Sequence, residues 1–493
     1  MVAQLNAPST QRNWKPVIRA LEKAVGKDNV VQRKEELLVY ECDGLTSYRQ
    51  RPPVVVLPRT TEQVSAAIKV CNEFNVPFVP RGAGTGLSGG ALPVEDAVLI
   101  VTATMRQILK VDFDNQRVVV QPGVINNWVT QAVRGAGFYY APDPSSQSVC
   151  SVGGNVAENS GGVHCLKYGV TTNHVLGVKL VLPDGGIVEI GGGVAEPPGY
   201  DLVGLVVGSE GTLGIATEIT LRILKSPETI NVLLADFMSV EAAGATVSDI
   251  ISAGMIPAGM EMMDNFSLNA VEDVVQTECY PRDAEAILLI EIDGLPAEVA
   301  ASRDRITTIC QKNGARDITI ATNPEERLRL WKGRKAAFAA MGKLSPDYYV
   351  QDGVIPRTQL PYVLREIEVL GEKHGYRVAN VFHAGDGNLH PLILYNNSIP
   401  GQLEEVEELG GDILKLCVKV GGSISGEHGI GADKSCYMPD MFTDADLETM
   451  LWVRSSWNPK GLANPTKIFP TPRTCGEAAR QPIPPGLSES DRF

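Results

Sequence analysis

The 493-residue chain predicts an α+β protein in two parts: a glycine-loop half, and a second half carrying an antiparallel sheet with helices. Three observations lead there. A β-α-β pattern delivers the chain to a glycine-rich loop at 80–93, and two more glycine-rich runs follow at 143–169 and 208–214. Beyond Lys225-Ser226-Pro227, strand-like and helical stretches alternate as far as VFHAGDGNLH, residues 381–390.

Composition narrows the classes. At about 100–200 residues per domain, the length suggests two or three domains with ample core. Apolar content of 44% and charged content of 21% are ordinary for a soluble globular protein. A net charge of −14 disfavours nucleic acid or anionic lipid as the main partner. The nine cysteines are scattered with no CxxC pair, so neither a zinc ribbon, an iron–sulfur ligand set nor a disulfide framework is expected. No basic-then-apolar leader and no spanning apolar run of ~18 residues stands in the chain. A cytoplasmic protein is expected, with peripheral contact at the inner face of a membrane left open.

Residues 1–12 read as a mobile lead and Trp14–Val25 as a helix ending at Gly26. A buried strand at 54–57 precedes Thr60-x-x-Gln63, a capping-box pattern. Val64, Ala67, Ile68, Cys71 and Phe74 then recur at helical spacing before a strand at 76–79. The loop PRGAGTGLSGGALP, residues 80–93, nearly offers GxGxxG, but strand-like Val98–Val101 follows where a dinucleotide site needs a helix. A nest of backbone N–H groups around a diphosphate fits it better, with a flexible surface loop as the alternative.

A strand at Arg117–Val120 and a helix at 125–134 lead to DPSSQSVCSVGGNVAENSGGVHCLKYG, residues 143–169. So long a Gly, Ser and Asn-rich stretch is expected to lie against a flat polar cofactor. A hairpin at 175–182 and 187–190 turns at Pro183-Asp184-Gly185, and GSEGTLG, residues 208–214, enters a strand at 219–223. After the boundary come strands at 230–237, 286–292, Asp317–Ala321 and 348–354. Helices are expected at Val240–Ser252, 296–313, 325–341 and Leu360–His374, with a last one at 444–456. The tail from Thr471 reads as disordered.

Three of the six histidines stand in two glycine-rich loops, HAGDGNLH and Gly426-Glu427-His428-Gly429. If Asp386-Gly387 is a two-residue hairpin turn, His383 falls opposite His390, with Cβ atoms roughly 5 Å apart on one face. That suits two imidazoles on one metal ion, with Glu427 adding an oxygen and coordination left open for a substrate. Two satisfied histidines on an ordinary hairpin is the alternative.

The loop PRGAGTGLSGG, the segment SVGGNVAENSGG, GSEGTLGI, HAGDGNLH and GEHGIG occur in this order. Together they resemble the flavin-dependent D-2-hydroxyacid dehydrogenases of the vanillyl-alcohol-oxidase fold. Within that group they are most similar to GlcD-type subunits of glycolate oxidase, with D-lactate and D-2-hydroxyglutarate dehydrogenases as relatives. The likeness spans residues 35–469.

It implies an α+β chain with a PCMH-type two-subdomain FAD-binding domain followed by an α+β cap domain. The expected boundaries are 1–52 for the lead-in, 53–226 for the FAD-binding domain and 227–425 for the cap. Residues 426–470 would return to the flavin, and 471–493 form the tail. By motif position the FAD diphosphate would meet Arg81, Gly82, Gly84, Thr85, Gly86 and Leu87. The flavin and ribityl region would meet Pro144, Ser146, Gly153, Gly154, Asn155, Ala157, Asn159, Ser160 and Gly161. Glu210 and Ile215 would lie nearer the adenine-ribose side, and Asn464 and Lys467 near the flavin.

The likeness further makes His383, His390 and Glu427 metal ligands and His428 the catalytic base, with Asn388 near the substrate. His428 as a third nitrogen ligand is the alternative. Two histidines and a carboxylate suit zinc, with manganese or iron compatible. Trp331, Arg334, Phe338 and Met341 form one helical stripe. An arginine on that apolar face either snorkels outward or awaits an anion, and the family places its carboxylate-binding arginine at Arg334. D-2-hydroxyglutarate enzymes carry a threonine and a lysine where this chain has Phe338 and Val350, which favours a small acid such as glycolate or D-lactate.

No histidine or cysteine stands in residues 80–90 to link FAD, so non-covalent FAD is expected. Electrons would pass to partner subunits, a second flavin-type chain and an iron–sulfur chain, or to quinone. A catalytically silent flavin-binding scaffold is the reading from another class.

Overall fold

The computed structural model describes residues 12–193, 198–276, 279–321 and 323–470. The expected tail lies outside these residues, as does the lead apart from Arg12, whose guanidinium pairs with Asp96 at 2.8 Å. The chain divides into two units. One comprises residues 2–161, 170–225 and 427–493, and the other 162–169 and 226–426.

In the first unit, helix Trp14–Val25 packs Val17, Leu21 and Val25 into a core with helix Thr61–Glu73. Thr60 caps that second helix by accepting the Gln63 N–H. Gln63 reaches past Thr60 to the N–H of Arg59, so the capping box closes one residue early. Strands Val54–Val56, Val98–Val101 and Phe78–Arg81 run parallel, and Val30–Val31 adds an antiparallel edge. A separate antiparallel sheet runs in the order Ile108–Asp112, Arg117–Val120, Ile215–Arg222, Val175–Val181, Ile187–Gly191. Strand Ile215–Arg222 alternates buried and half-buried residues along its whole length.

The second unit is one seven-stranded antiparallel sheet. Its order is Asp317–Ala321, Thr229–Phe237, Ala286–Gly294, Gly259–Asp264, Val378–Phe382, Pro391–Tyr395, Asp347–Val350. Helices Asn265–Val275 and Pro324–Leu344 pack on the face carrying Val232, Leu234, Leu289 and Val381. Helices Val240–Ser252, Pro296–Lys312, Leu360–His374 and Gln402–Lys419 take the other. Strand Gly259–Asp264 at the middle of the sheet is absent from the sequence expectations, as are helices Asn265–Val275 and Gln402–Lys419. Residues 351–354 leave the expected strand early and make irregular bridges to Asn388 and Ser423 at Val354. Among the described residues no helix is long and apolar enough to cross a membrane.

Candidate functional site

In the first unit, strand Phe78–Arg81 feeds straight into the glycine-rich loop. The Arg81 guanidinium donates to the Cys42 carbonyl at 2.6 Å and folds back over Gly84, whose φ of +73° and missing Cβ both allow it. Ser151 caps the short helix Val152–Glu158 by accepting the Gly154 N–H, and it also accepts Ala83 N–H at 3.1 Å. One hydroxyl thereby ties the second glycine-rich segment to the first. The glycines at 153 and 154 mask this helix in the sequence, where cofactor-facing irregular chain is expected instead; burial of Val152 and Val156 holds it.

A cleft between these segments is lined by Arg81, Gly82, Gly153, Gly154, Ala157, Glu158, Glu210 and Ile215 together with neighbouring strand residues. Gly84, Thr85, Gly86 and Leu87 lie farther along the loop and, like Pro144 and Ser146 in the turn beyond Ala141, are not in its lining. Asn155 is buried, and its carbonyl accepts the Ser160 N–H. Asn159, in the left-handed region, accepts Thr172 N–H, and Gly161 is buried beyond Ser160. Asn464 is fully buried and donates to the carbonyls of Gly90 and Glu210. Lys467, equally buried, donates to Leu92 O at 3.1 Å.

The charges around the glycine loop are concentrated. Glu210 accepts Ile430 N–H at 2.7 Å and Gly431 N–H at 2.8 Å. Glu158, absent from the sequence expectations, packs its carboxyl against Gly90 and Gly429, and its Oε2 finds no hydrogen-bond partner among the described residues. Burial, aided by Glu210 and Asp43, pushes Glu158 well above the usual carboxylate range, while Lys434 and Lys467 pull it down. Burial likewise raises Asp43 to about 6 and lowers Lys467 to about 8. His428 and Glu427 belong to this unit, at the start of the segment that brings Gly429 to Glu158.

In the second unit the hairpin register differs from expectation. Asn380 pairs with Pro391 and His383 with Asn388, so the loop is Ala384-Gly385-Asp386-Gly387 rather than two residues. The Gly387 N–H closes it on the His383 carbonyl, Gly387 takes φ +81°, and Asp386 accepts the Asn388 N–H. The slip is two residues, which preserves the face. His383 and His390 therefore still share one side, with ring centroids 5.1 Å apart and planes at 87°.

His383 Nδ1 lies 2.7 Å from Glu261 Oε1, and His390 Nδ1 lies 4.0 Å from Asp352 Oδ1. Asp352 also accepts Ser425 Oγ–H and Gly426 N–H. The Asn388 side chain packs against Gly426. Phe338 stands edge-on to His390 at 6.1 Å, and Val350 joins it in the same apolar cluster.

Arg334 is 3% exposed and has found an anion in the protein: Nε donates to Glu261 Oε2 at 2.8 Å. Burial pushes the Glu261 carboxyl up, but His383 and Arg334 outweigh it and hold it below its ordinary value. Glu261, Asp352 and Glu158 are the groups that sequence reasoning missed. A carboxylate set between methionines in the run AGMEMM is the one signal that pointed to Glu261.

The third part of the long glycine-rich segment does something else. Residues 162–169 belong to the second unit, where His164 meets Glu291 at 3.0 Å and Tyr168 donates to Asp293 at 2.6 Å. Leu166 packs against Gly385 of the histidine hairpin.

The two domains match families of flavoprotein oxidoreductases. Residues 52–191 match the model of an FAD binding domain, and residues 226–468 match that of the FAD linked oxidases, C-terminal domain. The chain belongs to the FAD-linked oxidase family that includes the GlcD subunits of glycolate oxidase. It is 50% identical over 480 residues to "Glycolate oxidase subunit GlcD" of Escherichia coli strain K12, covering 97% of this chain and 96% of that one. Similarity to the subunit of the same name from Bacillus subtilis strain 168 is 38% over 456 residues, 92% and 97% of the two chains. A D-lactate dehydrogenase of Anaerostipes hadrus is 33% identical over 428 residues, 85% and 90%. Among solved structures, 4-ethylphenol oxidase from Gulosibacter chungangensis superposes with TM-score 0.79 at 17% identity, over 94% of this chain and 99% of that one. That likeness bears on the fold alone.

Proposed function

We propose that this chain oxidises a small 2-hydroxyacid, glycolate to glyoxylate foremost, with FAD as the hydride acceptor and a divalent metal at His383, His390 and Glu427. The observation that carries the reading is the pair of imidazoles on one face with the Phe338 ring beside them. Two histidines so placed suit zinc, with manganese or iron compatible. FAD when bound would supply the two-electron acceptor, and a metal held by His383, His390 and Glu427 would lower the pKa of the substrate hydroxyl.

The remaining roles fall to side chains. His428 removes the hydroxyl proton, a task matched to imidazole near neutral pH. Arg334 has donors beyond those turned to Glu261, which would face the substrate carboxylate, and Asn388 orients the acid. Phe338 and Val350 leave no polar group for a distal carboxylate, which favours a short acid. FAD is held without a covalent link, and its electrons pass to partner subunits, a second flavin-type chain and an iron–sulfur chain, or to quinone.

D-lactate oxidation to pyruvate is the second reading, favoured by the D-lactate dehydrogenase among the relatives. Anaerobic flavin reduction measured against a panel of small 2-hydroxyacids separates them: the second-order rate constant for flavin reduction is expected to be higher for glycolate. A higher value for D-lactate would move the assignment to the second reading. A flavin that stays yellow with every acid would overturn both and support a scaffold subunit.

A further inference from the structure

Glu261 lies at the middle of the seven-stranded sheet, 1% exposed. Burying a carboxylate there costs several kcal/mol unless partners fill both oxygens. They do. Strand Gly259–Asp264 pairs Met262 with Phe382, so one step along the same register sets Glu261 opposite His383. Oε1 meets His383 Nδ1 at 2.7 Å, whereas Oε2 faces Arg334, with Nε at 2.8 Å and Nη2 at 2.6 Å.

Arg334 is itself fixed from behind. Its backbone N–H donates to the Tyr280 hydroxyl at 3.1 Å, and that hydroxyl donates to the Leu330 carbonyl one turn earlier. Helix Pro324–Leu344 is thereby pinned at the turn that presents the guanidinium.

We propose that Glu261 is a positioning residue for the metal histidine His383, and that Arg334 acts through it. The inference rests on the metal reading above. A carboxylate beside Nδ1 makes that nitrogen the N–H donor, so Nε2 carries the lone pair that a metal takes. The same contact holds the ring plane, and Arg334 keeps the carboxylate from swinging. Arg334 thus supports the metal site through Glu261 in addition to any contact it makes with substrate.

The test is zinc affinity of the full-length flavoprotein, measured by competition with a chromophoric chelator. Glu261→Gln is expected to weaken zinc binding 10–100-fold, the usual effect of losing such a partner, while FAD content holds. Because Glu261→Gln strands the buried Arg334 charge and threatens folding, the double variant Glu261→Gln with Arg334→Met is measured beside it. It removes both charges, and the same 10–100-fold loss is expected from it. Wild-type zinc affinity in the double variant would overturn the inference and leave Glu261 an ordinary structural ion pair, whose loss moves only the thermal midpoint. His383→Ala separates the two levels: loss of zinc there sustains the metal reading, and wild-type zinc would overturn that reading and this inference with it.

Discussion

The two units handle buried charge in opposite ways. In the sheet unit each interior carboxylate on the histidine-bearing face meets a partner: Glu261 meets His383 and Arg334, Glu291 meets Trp331 and His164, and Asp293 meets Lys167 and Tyr168. In the glycine-loop unit Glu158 has an oxygen with no hydrogen-bond partner among the described residues, and burial displaces Glu158, Asp43 and Lys467 from their ordinary protonation ranges. The sheet unit sets side chains in fixed geometry, His383 and Arg334 among them, with their charged partner already in place. The glycine-loop unit lines its cleft largely with glycine backbone and groups buried carboxylates with Lys434 and Lys467 around it.

This contrast predicts opposite outcomes for two charge removals. Arg334→Met, which strands Glu261, should cost about 3–5 kcal/mol, as expected when one partner of a buried pair is lost. Denaturant unfolding measures it, and a loss under ~1 kcal/mol would show that the sheet unit does not depend on this pairing. Glu158→Gln should instead stabilise at neutral pH, on the order of 1 kcal/mol. A carboxyl whose folded pKa is raised gives stability that is complete below its unfolded value and is lost as pH rises through the folded one. The advantage of Glu158→Gln should therefore grow as pH rises above about 4.5 and vanish below it. An advantage independent of pH would place the effect in packing.

Legibility in the sequence follows the same division. The first glycine-rich loop is legible as irregular chain between strands Phe78–Arg81 and Val98–Val101, because glycine spacing reports backbone directly, whereas the second hides helix Val152–Glu158. Regular elements with clean periodicity, such as Trp14–Val25 and Val98–Val101, were readable too. Strand Gly259–Asp264 was not, since its three methionines and central glutamate break the β-branched alternation that marks strands. Helix Gln402–Lys419 begins after Gly401 in the left-handed region and carries Gly410 and Gly411 at its middle, both signals of chain breaks.

The histidine hairpin shows both sides. Its register differs from the expected one by two residues because Asp386-Gly387 is the end of a four-residue loop, yet the shared face is kept because two is the period of a strand. Glu261 could be read as an oddity in an apolar run, but its pairing with His383 depends on a strand contact 122 residues apart in the chain. Residues 162–169 continue a glycine-rich segment without any break in composition, so their place on the sheet unit was hidden.

The proposed division of labour between His428 and His383 is tested most directly by anaerobic flavin reduction with glycolate, with metal content read on the same samples. The account predicts that His428→Ala keeps its FAD and its metal while flavin reduction slows by about 10²–10⁴-fold, and that His383→Ala loses the metal as well. Wild-type flavin reduction in His428→Ala, or equal metal content in the two variants, would contradict it.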